Sequence, residues 1–144
     1  MIIKGITDED FINYKKPAMF VAFPRCSFKC EKECGICCCQ NSDLALSSDI
    51  EVTAAALVQR YINNPISESV VIGGLEPFDT FDDLVEFVDA LRSKTQDDIV
   101  PCSSCGDTSD SYIRKDTLLG AFSCVGATYL SGPSPAKYCG QKRA

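Results

Sequence analysis

Six cysteines fall within fourteen residues, from Cys26 to Cys39, in a chain of 144 residues that contains no histidine. Thiolates are soft ligands suited to zinc and to iron-sulfur clusters, so this spacing indicates a metal centre. The missing imidazole excludes His-containing zinc sites, haem bound through histidine, and Ser-His-Asp or Cys-His catalytic groups. We therefore expect the function to depend on a cysteine-bound metal.

Residues 26–39, here called the cysteine loop, are compatible with more than one metal site. Four of the thiols, Cys26, Cys30, Cys34 and Cys37, can form a closed tetrathiolate zinc site, which would stabilise the domain and carry no chemistry. A three-cysteine site would leave one metal position open for a small molecule. The cysteines alone do not decide between these two sites.

A disulfide framework in a secreted protein is a third reading of the ten cysteines. It is disfavoured because the adjacent Cys37, Cys38 and Cys39 would be hard to pair without strain. The N-terminal sequence also lacks the basic start and apolar run of a signal peptide. We therefore expect a cytoplasmic protein, in whose reducing compartment cysteines serve metal binding or redox chemistry.

The second motif with a chemical meaning is Gly73-Gly74-Leu75-Glu76-Pro77, here called the glycine loop. Two glycines after a buried strand permit close approach of the backbone to a ligand. The motif is not a dinucleotide loop, because it has no third glycine and places Glu-Pro before the next helix. Considered alone, it can also be an ordinary structural turn.

Alternating strands and helices must position the two loops. Apolar runs at Ala18–Phe23 and residues 69–72 predict buried strands that lead into the cysteine loop and the glycine loop. This alternation predicts right-handed βαβ units and a parallel sheet, in which both loops lie at the carboxyl ends of the strands. The other predicted elements are a helix from Ser47, Ser48 or Asp49 to about Asn63, a helix from about Thr80 with Phe81, Leu84, Val85, Val88 and Leu91 as its apolar stripe, and a strand at residues 98–100.

The predicted fold class is α/β, a partial (β/α) barrel with a parallel sheet and an irregular, Cys-rich C-terminal segment. The chain is too short for a complete barrel of about 250 residues. Residues 1–100 form the predicted βα core, and residues 101–144 a divergent segment of the same domain. The cysteines of that segment allow either a second metal site or unligated thiols; they are Cys102, Cys105, Cys124 and Cys139.

Charge and hydropathy exclude two classes of partner. The net charge of -6 and the absence of a basic stripe argue against nucleic acid, whose affinity depends on clustered Lys and Arg. No stretch approaches the roughly 18 apolar residues of a membrane span. We therefore expect neither a nucleic-acid partner nor a membrane.

Together, the two motifs resemble those of the radical S-adenosylmethionine enzymes, and specifically the small activating proteins of the anaerobic ribonucleotide reductase type. The resemblance covers roughly residues 1–100. Cys26-Ser-Phe-Lys-Cys30 is similar to the first half of the family's Cys-x3-Cys-x2-Cys loop, and Cys39-Gln40-Asn41 to the Cys-x-Asn that follows it. The resemblance implies Cys26, Cys30 and Cys39 as ligands of a 4Fe-4S cluster, with an insertion between the second and third ligands.

The same resemblance implies a binding site for S-adenosyl-L-methionine. The implied cofactor-binding residues are Gly73, Gly74, Leu75, Glu76, Pro77, Phe28 and Asn41. The implied reaction is reductive cleavage of S-adenosylmethionine to a 5′-deoxyadenosyl radical, which needs no general base and hence no catalytic residue beyond the cluster. The implied partners are a glycyl-radical enzyme, such as anaerobic ribonucleotide reductase, and a reducing donor such as flavodoxin or ferredoxin. The alternative function is a non-catalytic zinc or iron-sulfur module, the latter for electron transfer.

Overall fold

A computed structural model of the protein describes residues 1–37, 39 and 41–102, without the side chains of Cys30, Glu33 and Cys34. It has a mixed α/β fold. Its strands are β1 (Ile2–Ile3), β2 (Gly5–Asp10), β3 (Ala18–Phe23), β4 (Ile50–Glu51), β5 (Ser69–Gly74) and β6 (Asp98–Pro101). Its α-helices are α1 (Lys29–Cys34), α2 (Ser42–Leu46), α3 (Ala54–Asn63) and α4 (Phe81–Arg92), and a 3₁₀ helix spans Pro77–Thr80.

The main sheet has four strands in the order β2-β3-β5-β6. Strands β3, β5 and β6 are parallel to one another. The alternation of strands and helices predicted this arrangement. Their carboxyl ends meet at one edge, because Phe23 pairs with Gly74 and Ile72 pairs with Pro101. Across the described residues the sheet is open and does not close into a barrel.

Strand β2 makes the sheet mixed, because it pairs with β3 in the antiparallel direction. The expectation of a purely parallel sheet is therefore wrong at this edge. The sequence of β2, Gly-Ile-Thr-Asp-Glu-Asp, is too acidic to read as a buried strand. An edge strand tolerates such charge, and charged residues there oppose pairing with other chains.

Helices α3 and α4 cover one face of the sheet and form the larger core with it. The predicted helix end at Asn63 is confirmed, but the predicted start near Ser47 is wrong. Thr53 caps α3, and its hydroxyl accepts a hydrogen bond from the Ala56 amide at 3.1 Å. The strand β4 occupies residues 50 and 51 instead, where it pairs with β1.

Helix α4 begins directly after Thr80, as predicted, although the Thr80 side chain makes no capping hydrogen bond. Phe87 belongs to its buried face and was absent from the predicted stripe. A smaller core of Ala18, Val71 and Val100 lies on the opposite face of the sheet. In the described part of the chain, no helix is long and apolar enough to cross a membrane. Most of the C-terminal segment, residues 103–144, lies outside the described residues, and its predicted character stays a prediction.

Candidate functional site

The glycine loop lies against the first residues of the cysteine loop. The pairing of β3 with β5 continues past the strands, because the Leu75 amide donates to the Phe23 carbonyl at 3.2 Å and the Glu76 amide donates to the Arg25 carbonyl at 2.9 Å. Arg25 immediately precedes Cys26 in the chain. Two residues of the glycine loop are thus hydrogen-bonded to residues that directly precede the cysteine loop.

Asn41 joins the same two loops from the far end of the cysteine loop. Its side-chain amide donates a hydrogen bond of 2.9 Å to the carbonyl of Gly74. Residues 41 and 74 are 33 positions apart, so this contact arises from the fold and not from local geometry. It brings one predicted cofactor-binding residue to another.

Gly74 has a backbone conformation and a position that only glycine accommodates well. Its φ is +86°, in the left-handed region where a side chain is strained. A Cβ at this position would lie 2.8 Å from the Cα of Ala22 on the neighbouring strand. At Gly73, a Cβ would meet the outer edge of the Phe20 ring, at 3.0 Å, and the Cβ of Cys102, at 3.5 Å. The two glycines therefore let the end of β5 pack closely against β3, where a larger residue would meet protein atoms.

The other residues of the glycine loop are also buried. Leu75 and Glu76 are 5% and 7% exposed, and Pro77 is also buried. One carboxylate oxygen of Glu76 accepts a hydrogen bond from the Phe78 amide at 3.3 Å, which caps the 3₁₀ helix. Glu76 therefore has a structural contact here in addition to its predicted role in cofactor binding.

A further link between the loops was not predicted from the sequence. The side chain of Asp79 accepts a hydrogen bond of 2.6 Å from the amide of Ser27, which lies between the first two predicted ligands. The one sequence signal for this contact is the position of Asp79 directly after Glu-Pro-Phe, since aspartates near turns commonly accept hydrogen bonds from backbone amides. Asp79 is thus a third anchor for the start of the cysteine loop.

Two features of the cysteine loop suit a thiolate ligand at Cys26. The amide of Phe28 donates to the Cys26 sulfur at 3.3 Å, and hydrogen bonds of this kind stabilise negative charge on sulfur. Phe28 itself has φ +51°, which is unusual for a residue with a side chain. This conformation turns the chain into α1 immediately after the amide has met the sulfur. The loop is therefore shaped around Cys26.

Replacing Phe28 with Gly should separate the backbone role of this residue from any role of its ring. Glycine relieves the left-handed conformation, so we expect the free energy of unfolding of Phe28→Gly to fall little or to rise by up to about 1 kcal/mol. Phe28→Ala removes the same ring and keeps the strain, so it should be the less stable of the two. Urea unfolding followed by far-ultraviolet circular dichroism measures both; an equal stability of the two variants would contradict the strain.

The three predicted metal ligands are described to different extents. Cys26 and Cys39 are partly buried, and Cys37 is exposed. The side chain of Cys30, which is the second predicted ligand, lies outside the described residues, as do Cys38 and the side chain of Cys34. Among the side chains that are described, no three metal-ligating groups converge. The three-cysteine centre therefore stays a prediction, although the thiols and the amide at Cys26 fit a soft metal.

A buried lysine connects the residue before the cysteine loop with the end of α2, which follows that loop. The Lys4 side chain is 3% exposed and forms a 2.8 Å ion pair with Asp49. Its ammonium group also donates to the carbonyls of Ala45, at 3.2 Å, and of Ser47, where α2 ends. Asp49 in turn pairs with Arg25 at 3.3 Å. This group, which we call the Lys4 clamp, was not predicted, because its members are up to 45 positions apart.

The Lys4 clamp should weaken in acid. Hydrogen bonding from Lys4, with the charges of Lys4 and Arg25, holds the pKa of Asp49 below its usual range. A lowered pKa contributes stability above the unfolded value of about 4, and this contribution is lost as the pH falls through the folded pKa. The urea midpoint of unfolding of the wild type should fall as the pH drops below about 4, and in Asp49→Asn it should fall less. Asp43→Asn, an exposed change on α2, is the control and should keep the whole decline.

The described residues therefore bring together the glycine loop, the start of the cysteine loop, and Asn41, which lies two positions beyond the end of that loop. Phe28 lies within the cysteine loop and is partly buried. Comparison with known proteins adds no relative: no protein-family model, no curated protein and no solved structure matches this chain.

Proposed function

We propose that this chain is a radical S-adenosylmethionine protein, in which Cys26, Cys30 and Cys39 hold a 4Fe-4S cluster and the glycine loop binds S-adenosylmethionine. One observation carries the proposal, namely the hydrogen bond of 2.9 Å from the Asn41 side chain to the carbonyl of Gly74. It ties a residue two positions after the third proposed ligand to the loop that would hold the cosubstrate. The position also fits, because ligands of parallel α/β sheets bind at the carboxyl ends of the strands.

Each part of the site would have a distinct task. A bound cluster supplies the one-electron reduction of S-adenosylmethionine that leads to a 5′-deoxyadenosyl radical. The glycine loop would offer backbone groups to the ligand, and the buried Leu75 and Pro77 would keep water from that side. The ring of Phe28 would offer an apolar surface to the adenine. No step requires a histidine.

The open sheet supports the same proposal at the level of the fold. We interpret β3, β5 and β6, with α3 and α4 on one face, as part of a (β/α) barrel. A partial barrel leaves the opposite face of the sheet, with Ala18, Val71 and Val100, toward its interior. On that face, Tyr14, Phe20 and Cys102 pack against these three buried residues.

The substrate and partners follow from the resemblance and belong to the proposal. We propose that the radical is passed to a glycine of a partner enzyme, such as anaerobic ribonucleotide reductase. A flavodoxin or ferredoxin would provide the electron, and the cytoplasm would be the compartment. Formation of a glycyl radical in a candidate partner, detected by electron paramagnetic resonance, tests this part.

Metal analysis of anaerobically prepared protein tests the cluster itself. The proposal predicts about four irons per chain with broad visible absorption, after reconstitution with iron and sulfide. Stoichiometric zinc in a colourless protein would contradict it and would favour the closed tetrathiolate site of Cys26, Cys30, Cys34 and Cys37. An intact cluster that never cleaves S-adenosylmethionine would leave electron transfer as the function.

A further inference from the structure

We infer that Glu31 is a positioning residue, which holds Cys39 beside the start of the cysteine loop and so completes the three-cysteine site. The inference rests on the proposed function, since it concerns the third ligand of the proposed cluster. The contact that carries it is a hydrogen bond of 2.9 Å, donated by the Cys39 amide to a carboxylate oxygen of Glu31. Glu31 is partly buried at this contact.

The path of the chain explains how Cys39 comes close to Glu31. Eight residues separate Cys30 from Cys39, and an extended segment of that length would carry the two far apart. The segment instead forms α1 and reverses at Gly35, whose φ is +68° and whose amide bonds to the Glu31 carbonyl at 2.8 Å. The carbonyl of Glu31 thus accepts the last hydrogen bond of the helix, and its side chain accepts one from the Cys39 amide.

The position of Glu31 in α1 explains why its side chain is available. It is the third residue of the helix, where a glutamate commonly reaches back to the amide of the N-cap residue. Here the N-cap residue is Phe28, and its amide is bonded to the sulfur of Cys26. The Glu31 carboxylate reaches Cys39 instead. The first and third proposed ligands are therefore each fixed by a hydrogen bond that involves the same short helix.

This link would matter most before the metal binds. A flexible segment must lose conformational freedom to bring its cysteine to a metal, and a preformed contact reduces that loss. A hydrogen bond to a charged acceptor is strong enough for its removal to weaken iron binding roughly ten-fold. The amide of Gln can still be approached by the Cys39 amide through its carbonyl oxygen, whereas Ala offers no acceptor.

Three variants test the inference: Glu31→Ala, Glu31→Gln and Lys32→Ala, the last an exposed neighbour on α1. Two quantities are measured in each, namely amide hydrogen exchange at Cys39 in the metal-free protein and iron bound per chain under limiting iron. We expect Glu31→Ala to speed exchange at Cys39 and to bind iron roughly ten-fold more weakly. Glu31→Gln should restore most of both properties, and Lys32→Ala should resemble the wild type.

The outcomes separate this inference from the proposed function. Tight iron binding in Glu31→Ala, with unchanged exchange at Cys39, would overturn the inference and leave the proposed function standing. Failure of Glu31→Gln to recover any iron binding while its fold is intact would also overturn it, since the acceptor is then not what matters. A wild-type protein that takes up no iron would remove the proposed function and, with it, the role of Glu31.

Discussion

Replacing Cys26, Cys30 or Cys39 with Ala is expected to abolish binding of the 4Fe-4S cluster. A site with three protein ligands that also keeps one iron open has no thiolate to spare, because the cluster cannot be held by two. We therefore expect iron per chain to fall to background in each of the three variants after anaerobic reconstitution. Iron analysis and the visible absorption spectrum measure the loss.

The surplus cysteines of the same loop provide matched controls. Cys37→Ala changes an exposed thiol, and Cys34→Ala changes one at the end of α1; both should retain the cluster. The closed zinc site predicts the reverse, with loss of metal in Cys34→Ala and Cys37→Ala and retention in Cys39→Ala. Loss of iron in Cys34→Ala with retention in Cys39→Ala would show that the third ligand is wrongly assigned.

Replacing Gly74 with Ala should cause the largest loss of stability of any glycine change in the described part of the chain. The new side chain must adopt φ +86° and would place its Cβ 2.8 Å from the Cα of Ala22. Backbone strain and overpacking each cost roughly 1 to 3 kcal/mol, so we expect the free energy of unfolding to fall by about 3 kcal/mol. Urea unfolding followed by circular dichroism measures the change.

Variants of two other glycines separate the cost of the positive φ from the cost of the contact with Ala22. Gly35 has φ +68° with open space around it, so Gly35→Ala should cost about 1 kcal/mol. Gly5 has neither a positive φ nor a close neighbour, and Gly5→Ala should be nearly neutral. If Gly74→Ala cost no more than Gly35→Ala, the close approach of the glycine loop to β3 would be contradicted. That approach underlies the arrangement of the whole site.

The parallel part of the sheet was predictable because its signals are local. Pro17 and Pro24 bracket the apolar run of β3, and β5 is an uninterrupted apolar segment between a loop and two glycines. Such strands are buried on both faces, so their sequences are continuous apolar runs that are easy to recognise. The end of α3 at Asn63 was equally clear, because Pro65 follows it closely.

The remaining elements depended on contacts that no local pattern records. Strand β2 is acidic and is stabilised as a strand by its pairing with β3. The predicted start of α3 lies before the observed one, because Ser47, Ser48 and Asp49 are residue types that commonly cap helices. In the structure, Asp49 binds Lys4 and Arg25 instead, and Thr53 serves as the cap.

The candidate site divides in the same way. Asn41 is a cofactor-binding residue by the resemblance, which stays a prediction, and the structure shows that its side chain donates a hydrogen bond to Gly74. Glu31 and Asp79 were not predicted, because a carboxylate that accepts from a distant backbone amide looks like any solvated acid in the sequence. Both anchor backbone amides of the cysteine loop. Residues that anchor a loop are thus harder to predict from sequence than the candidate ligand residues within it.

The most direct test of the central claim is release of 5′-deoxyadenosine by the reconstituted and reduced protein in the presence of S-adenosylmethionine. The reduced wild type should release it, and Cys39→Ala, prepared in the same way, should not. Cys37→Ala should behave as the wild type and so control for the loss of a thiol. If the wild type held an intact, reduced cluster and released no 5′-deoxyadenosine, the assignment of this chain to radical S-adenosylmethionine chemistry would be contradicted.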